Sequence, residues 1–165
     1  MKLDATQRAV LLRDPAGWIA CGFGSGLSPI APGTAGSLAA LLPWFALREL
    51  LSWPGYLAVI MLAFALGLWA CARVVDKLRI EDPGFVVWDE FVGQWIALMP
   101  LLWVPFRWWL LAVGFALFRL FDIVKPWPVS WADRRVKGGF GVMLDDVLAG
   151  IYAAIVVVVL TYFMG

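Results

Sequence analysis

RLFDIVKPWPVSWADRRVKGGFGVMLDD (119–146) joins the end of one very apolar run to the start of another. Between those runs it gathers acids, bases, Pro126, Pro128 and a Gly-Gly pair. The flanking runs suit lipid and this segment does not. That contrast predicts apolar helices crossing a bilayer, with polar segments collected at its surface. Two other polar stretches, 22–37 and 76–90, are of the kind that would meet it there.

Composition agrees. Of 165 residues, 63% are apolar and 15% charged, and mean hydropathy is +0.86. Soluble domains are about 25% charged, so the expectation is one all-α, polytopic integral-membrane domain over 1–165. Eleven tryptophans suit a chain with many residues at a membrane interface. A net charge of +1 argues against a nucleic-acid partner. Histidine is absent, which excludes an imidazole base, a phosphohistidine or a His-ligated metal. Cys21 and Cys71, without CxxC spacing, read as small buried hydrophobes rather than nucleophiles. The charges Lys2, Asp4, Arg8, Arg13 and Asp14 are followed by no continuous apolar run before the glycines and prolines of 22–36, so no cleaved signal peptide is expected.

Residues 1–21 are predicted to form a short amphipathic helix at the interface, with Val10, Leu11, Trp18 and Ile19 as its apolar face. GFGSGLSPIAPGTAGS (22–37) reads as loop. Apolar runs follow at 36–51 (short or kinked by Pro43), 56–74, 91–104 (interrupted by Gln94 and Pro100), 108–124 and 147–163. Four or five helices would cross, since about 20 residues at about 1.5 Å each span the hydrocarbon core. Alternation then puts 1–35, 75–90 and 125–146 on one side. That side carries Lys2, Arg8, Arg13, Lys77, Arg79, Lys125, Arg134, Arg135 and Lys137, against little beyond Arg48 and Arg107 on the other. The positive-inside rule makes the polar side cytoplasmic.

Asp89, Glu90, Asp122, Asp145 and Asp146 stand at apolar–polar boundaries on that side. Asp89-Glu90 and Asp145-Asp146 each read as opening an apolar helix, where one carboxylate caps free N–H groups. The second of each tandem is then left to aim into the bundle. Asp122 lies near a helix C-terminus, where the dipole disfavours an anion, with Arg119 and Lys125 as candidate partners three residues away. An ionisable group within a span costs roughly 2.5–3.5 kcal/mol on insertion scales, which marks it as functional. Gathered carboxylates repel one another. Hard oxygen ligands without His or Cys select Mg²⁺, or Mn²⁺, to relieve that repulsion. All five acids are therefore candidate metal ligands. Lys125, Arg134, Arg135 and Lys137 offer the opposite charge to phosphate oxygens, anionic lipid headgroups being their simpler partner. PGTAGS (32–37), with Thr34, opens a helix whose N–H groups can cradle phosphate or be capped by Thr34 itself. Gly138-Gly139 would let the central segment turn tightly. Trp88, Trp127 and Trp131 read as interfacial anchors beside the acids. Carboxylates, metal and Arg/Lys together are equipment for phosphoryl chemistry.

GFGSGLSPIAPGTAGS (22–37), VVWDEFVGQWIAL (86–98) and FRLFDIVKPWPVSWADRRVKGGFGVMLDDVLAGIYA (118–153) closely resemble the phosphatidylglycerophosphatase A family, as three long motifs in order over most of 20–155. The resemblance implies a Mg²⁺-dependent phosphatase of the bacterial inner membrane. Its substrate would be the lipid phosphatidylglycerophosphate, cleaved at the terminal phosphate to give phosphatidylglycerol for the phospholipid pool. In that setting Asp89, Asp122, Asp145 and Asp146 would supply most metal ligands, with Glu90 as ligand or general base. Glu90, Asp122, Asp146 and Arg134 form the expected catalytic group, while Thr34, Lys125, Arg134, Arg135 and Lys137 would bind phosphate. Direct attack by water is preferred to an aspartyl-phosphate route, since no DxD pair is present. Rival readings are a Mg²⁺-dependent lipid phosphatidyltransferase, whose Asp-Gly and Ala-Arg spacing is absent, and a small cation transporter, which predicts acids at mid-span. A structural membrane subunit would leave the tandem acids unexplained. Besides lipid, no partner or oligomeric state is assigned.

Overall fold

The computed structural model describes residues 5–80 and 83–164, with only the backbone described at Ala5, Thr6, Val10 and Met164. Lys2, Asp4 and the Val10 side chain therefore lie outside the described residues. Among the described residues, every regular element is a helix.

The expected single helix over 1–21 is instead two, α1 (Ala5–Leu12) and α2 (Pro15–Ala20). Pro15 has no N–H to continue α1 and starts α2 at its first position, while the Asp14 carboxylate accepts from Ala16 N at 3.1 Å. Nor does α2 simply lie on the surface. Ala16 and Ala20 are fully buried, and α2 packs against α4 (Trp53–Leu78). Arg73 Nε and Lys77 Nζ of α4 each donate to Asp14 Oδ2 at 3.0 Å. The Lys77 bond, with Arg73 behind it and against the opposing effect of burial, lowers the Asp14 pKa to about 2. A depressed carboxylate stabilises the fold above its unfolded pKa of about 3.9 and loses that contribution as pH falls through its folded value. Asp14→Asn keeps a capping side chain and removes the charge. It should cost up to about 1 kcal/mol at pH 7. Thermal unfolding of both proteins should show the gap narrowing between pH 4 and pH 2; a gap independent of pH would rule out the ion pair as its cause.

α3 (Pro32–Leu50) begins earlier than the expected loop end, with Pro32 at its first position, so PGTAGS is already helix. Its later Pro43 does not break it. α6 (Trp108–Val124) coincides with the fourth apolar run and stops where Lys125 takes a left-handed φ of 48° before Pro126. α5 (Trp88–Leu98) has 11 residues, about 16 Å of rise. A 3-10 turn at Met99–Leu102 ends it where Pro100 enters. Alone it covers half a bilayer, so the run 91–104 does not form a full-length helix. α7 (Val129–Arg135) is short, and α8 (Gly138–Met164) is 27 residues long. Among the described residues two helices, α4 and α8, are long and apolar enough to cross a membrane, and their outer faces expose residues such as Met61, Leu62 and Ile155. The protein is membrane-associated.

α5 sits in the middle, against α3, α4, α6 and α8. Its crossing with α8 depends on two glycines. A Cβ at Gly93 would lie 2.7 Å from Asp146 O, and one at Gly150 would lie 2.5 Å from Gly93 O. Backbone therefore meets backbone, as small residues allow in membrane bundles. Side chains of the buried ring satisfy carbonyls across the bundle. Trp95 Nε1 donates to Ala40 O at 2.8 Å, Trp88 Nε1 to Ala63 O at 2.8 Å and Tyr56 OH to Trp95 O at 2.7 Å. Trp88 is thus a core residue stacked on Phe91, not the interfacial anchor its position beside Asp89 suggested. Trp127 and Trp131 are exposed, and both cysteines are buried and unpaired.

Candidate active site and metal centre

α8 starts at Gly138 rather than Val147. The glycine pair divides its work: Gly138 turns the chain at a left-handed φ of 72° where α8 begins, and a Cβ at Gly139 would stand 2.5 Å from Ala72 N on α4, so that glycine serves close helix contact. Asp145 and Asp146 are consequently interior residues of α8, two turns from its start, and cannot be its caps. Asp89 and Glu90 do lie in the first turn of α5, where Asp89 Oδ1 accepts from Glu90 N at 3.1 Å. Asp122 comes from the last turn of α6. One end of the bundle thus collects the start of α5, the end of α6 and the first turns of α8, with α7 beside them.

These elements enclose a cavity of about 490 Å³. Its walls include Asp89, Glu90, Asp122, Asp145, Asp146, Lys125, Asp133, Arg134 and Lys137, with Gly84 and Val86 from the 79–87 connection. Thr34 and Arg135 are not among its lining residues. Glu90 blocks the first turn of α3, lying where a Cβ of Gly33 would be, and Arg135 follows Arg134 around α7 into solvent.

The acids divide by partner. Asp122 is held by Arg119 Nη1 at 2.6 Å. Asp145 accepts from Lys125 Nζ, which also donates to Asp133 Oδ1 at 2.6 Å. Burial would lower the Lys125 pKa, but the bonds to Asp133 and Asp145 outweigh it and raise the value. Lys125 therefore bridges carboxylates instead of pairing with Asp122, because the left-handed turn at its own backbone carries it off the α6 face toward α7 and α8. Asp89, Glu90 and Asp146 remain. One oxygen from each lies within 4.8 Å of the others, close enough for one cation. Glu90 Oε2 and Asp146 Oδ2 are buried without a hydrogen-bond partner, a costly state for a carboxylate in low dielectric.

Sequence reasoning missed Asp133 as a wall of the cavity and Ser37, which accepts from Arg119 Nη1 at 3.3 Å. Neither carries a local signal. Asp133 reaches Lys125 across a proline-rich turn, and Ser37 reaches Arg119 between helices far apart in the chain. On the rim, Arg134 Nε donates to Ser130 O at 3.0 Å, which tethers the side chain along α7.

The sequence profile of the phosphatidylglycerophosphatase A family matches residues 18–161. A phosphatidylglycerophosphatase A of Escherichia coli K12 is 43% identical over 162 residues, covering 98% of this chain and 90% of the relative. One from Haemophilus influenzae is 44% identical over 157 residues, covering 95% of each. A Bacteroides thetaiotaomicron protein provisionally named as a phosphatidylinositol-3-phosphatase is 49% identical over 155 residues, covering 89% of this chain and 94% of its own. No solved structure matches.

Proposed function

The chain belongs to the phosphatidylglycerophosphatase A family, and from that footing we propose that it hydrolyses the terminal phosphomonoester of phosphatidylglycerophosphate, with Mg²⁺, to phosphatidylglycerol and phosphate. One observation carries the metal-dependent part. Asp89, Glu90 and Asp146 converge within 4.8 Å, and two of their oxygens are buried and unpartnered. A hard divalent cation answers both the mutual repulsion and the orphaned oxygens, and the all-oxygen donor set fits Mg²⁺ or Mn²⁺. When bound, it supplies charge neutralisation and Lewis-acid polarisation of a phosphate oxygen.

The chain's own residues do the rest. Asp89, Glu90 and Asp146 would hold the ion. Arg134 and Lys137 line the cavity and offer cations to phosphate oxygens. Lys125, balanced by Asp133 and Asp145, orders the wall between them. In the reaction the oxygen of a water bonds to phosphorus while the bond to the glycerol oxygen breaks. The water proton passes to a carboxylate of the cluster and the leaving oxygen is reprotonated. Ile123 and Val124, which stand in the chain between the cavity residues Asp122 and Lys125, are exposed, as are Trp127 and Trp131, which suits a substrate whose acyl chains stay in the leaflet.

In this reading the chain is a multi-pass protein of the bacterial inner membrane, with α3 and α6 completing the bundle around α4 and α8. The end of α4 and the start of α8 lie together. Arg73, Lys77, Arg79, Lys125, Arg134, Arg135 and Lys137 all belong to that end, so the site faces the cytoplasm by the positive-inside rule. Purified protein in detergent should release phosphate from phosphatidylglycerophosphate with Mg²⁺ and lose that activity with chelator. It should recover when Mg²⁺ is returned. Full activity in excess chelator would remove the metal from the proposal.

A further inference from the structure

Arg119 has no role in the reaction as described, yet its surroundings are unusually constrained. The side chain is 14% exposed, with Nη1 2.6 Å from Asp122 Oδ2 and 3.9 Å from Glu90 Oε1. The same nitrogen is 3.3 Å from Ser37 Oγ, and Ser37, fully buried, donates to Gly33 O at 2.9 Å. Arg119 Nε is buried and has no partner, so this pose is held at the expense of one of its own hydrogen bonds. From the other side, α3 closes directly onto the pair. A Cβ at Gly33 would lie 2.4 Å from Glu90 Oε1 and 3.1 Å from Arg119 Nη2. Bare backbone is the only thing that fits there.

Resting on the metal-dependent reading above, we propose that Arg119, backed by Ser37 and the bare first turn of α3 at Gly33, is a positioning residue that aims Glu90 into the Asp89–Glu90–Asp146 group. The guanidinium does two things at once. Anchored on Asp122 at 2.6 Å and Ser37 at 3.3 Å, it presents its charge 3.9 Å from Glu90 Oε1 and so sets which way that carboxylate leans. Its charge offsets part of the negative potential that attracts the cation. Geometry is gained and raw metal affinity is given up, so the two variants below should move metal binding in opposite directions. General damage to the fold would move both the same way.

The test is Mn²⁺ binding to detergent-purified protein, read as loss of the free-ion EPR signal, beside kcat on phosphatidylglycerophosphate. Arg119→Met frees Glu90 but also removes the competing charge, and because the charge acts on all three carboxylates it dominates: the Mn²⁺ Kd should fall by about tenfold, with a fall in kcat. Gly33→Ala leaves every charge in place but displaces Glu90, and should raise the Kd by about tenfold, again with lower kcat. Arg119→Lys keeps the charge without the fork, so the Kd should stay within about twofold while kcat falls; it carries the test if Arg119→Met does not fold. Gly55→Ala, where the added methyl meets nothing nearer than 3.6 Å, should match the parent in both. Weaker Mn²⁺ binding by Arg119→Met, or an unchanged kcat in Arg119→Lys, overturns the proposal. A parent protein that binds no Mn²⁺ overturns the metal-dependent reading itself, and this proposal with it.

Discussion

Asp146→Asn is expected to lower phosphate release from phosphatidylglycerophosphate by at least about a hundredfold, the upper end of what even outer-shell partners of a metal site contribute. Asp146 is 3% exposed, and its Oδ2 has no partner. The amide keeps the shape of the side chain but offers N–H where an anionic oxygen is needed. Folding should not suffer. Removing an unpaired buried charge is neutral or stabilising, so the thermal midpoint in chelator should equal or exceed that of the parent. The pairing of lost activity with retained stability separates a site residue from a structural one. Activity within a few-fold of the parent would take Asp146 out of the metal group.

Gly93→Ala should damage fold and activity together. Its Cβ would stand 2.5 Å from Phe118 Cε2 on α6 and 2.7 Å from Asp146 O on α8. The second contact is with backbone, which cannot rotate aside. Overpacking of this kind costs about 1–3 kcal/mol. Any relief must come from moving α8 at the residue that carries the Asp146 carboxylate. A lowered thermal midpoint with reduced phosphate release is expected, and Gly55→Ala serves as the neutral comparison. A protein with unchanged stability and activity would show that α5 and α8 do not cross as closely as described.

How far the sequence could be read depended on what kind of signal each feature leaves. α6 was legible over its whole length, because Arg107 and the Lys125-Pro126 pair bracket a run whose charged residues are Arg119 and Asp122 alone. α4 was legible only in its middle: expected over 56–74, it starts at Trp53-Pro54, which read as a turn, and continues past Arg73 to Leu78. The helix starts were not. Gly138-Gly139 has the composition of a turn, and Gly138 does turn at a φ of 72°, but only the nearness of Ala72 on α4 shows why Gly139 stands inside a helix. Pro15 divided the N-terminal segment because its missing N–H coincides with a capping Asp14, a local cue outweighed by the apparent apolar face. The acids Asp89, Glu90, Asp122, Asp145 and Asp146 could be named as a group from their boundary positions. Their division into Asp122 on Arg119, Asp145 on Lys125 and the converging Asp89, Glu90 and Asp146 could not, since it follows from which helices touch. Trp88 shows the same limit, its neighbour Asp89 lining the cavity while its own ring turns inward onto α4.

The early start of α8 also sets a depth. From Gly138 to Asp146 the helix rises about 12 Å, and the 18 residues from Val147 to Met164 rise about 27 Å. That second length nearly equals the hydrocarbon thickness of about 30 Å. On the proposed reading α8 acts as a gauge rod: its greasy part would fill the oily layer and hold the carboxylates at the height where lipid phosphates ride. In vesicles of longer acyl chains the rod is too short, and the acids are drawn below the plane of their target. Turnover should accordingly peak at one chain length and fall on both sides, a thickness optimum written into a single helix.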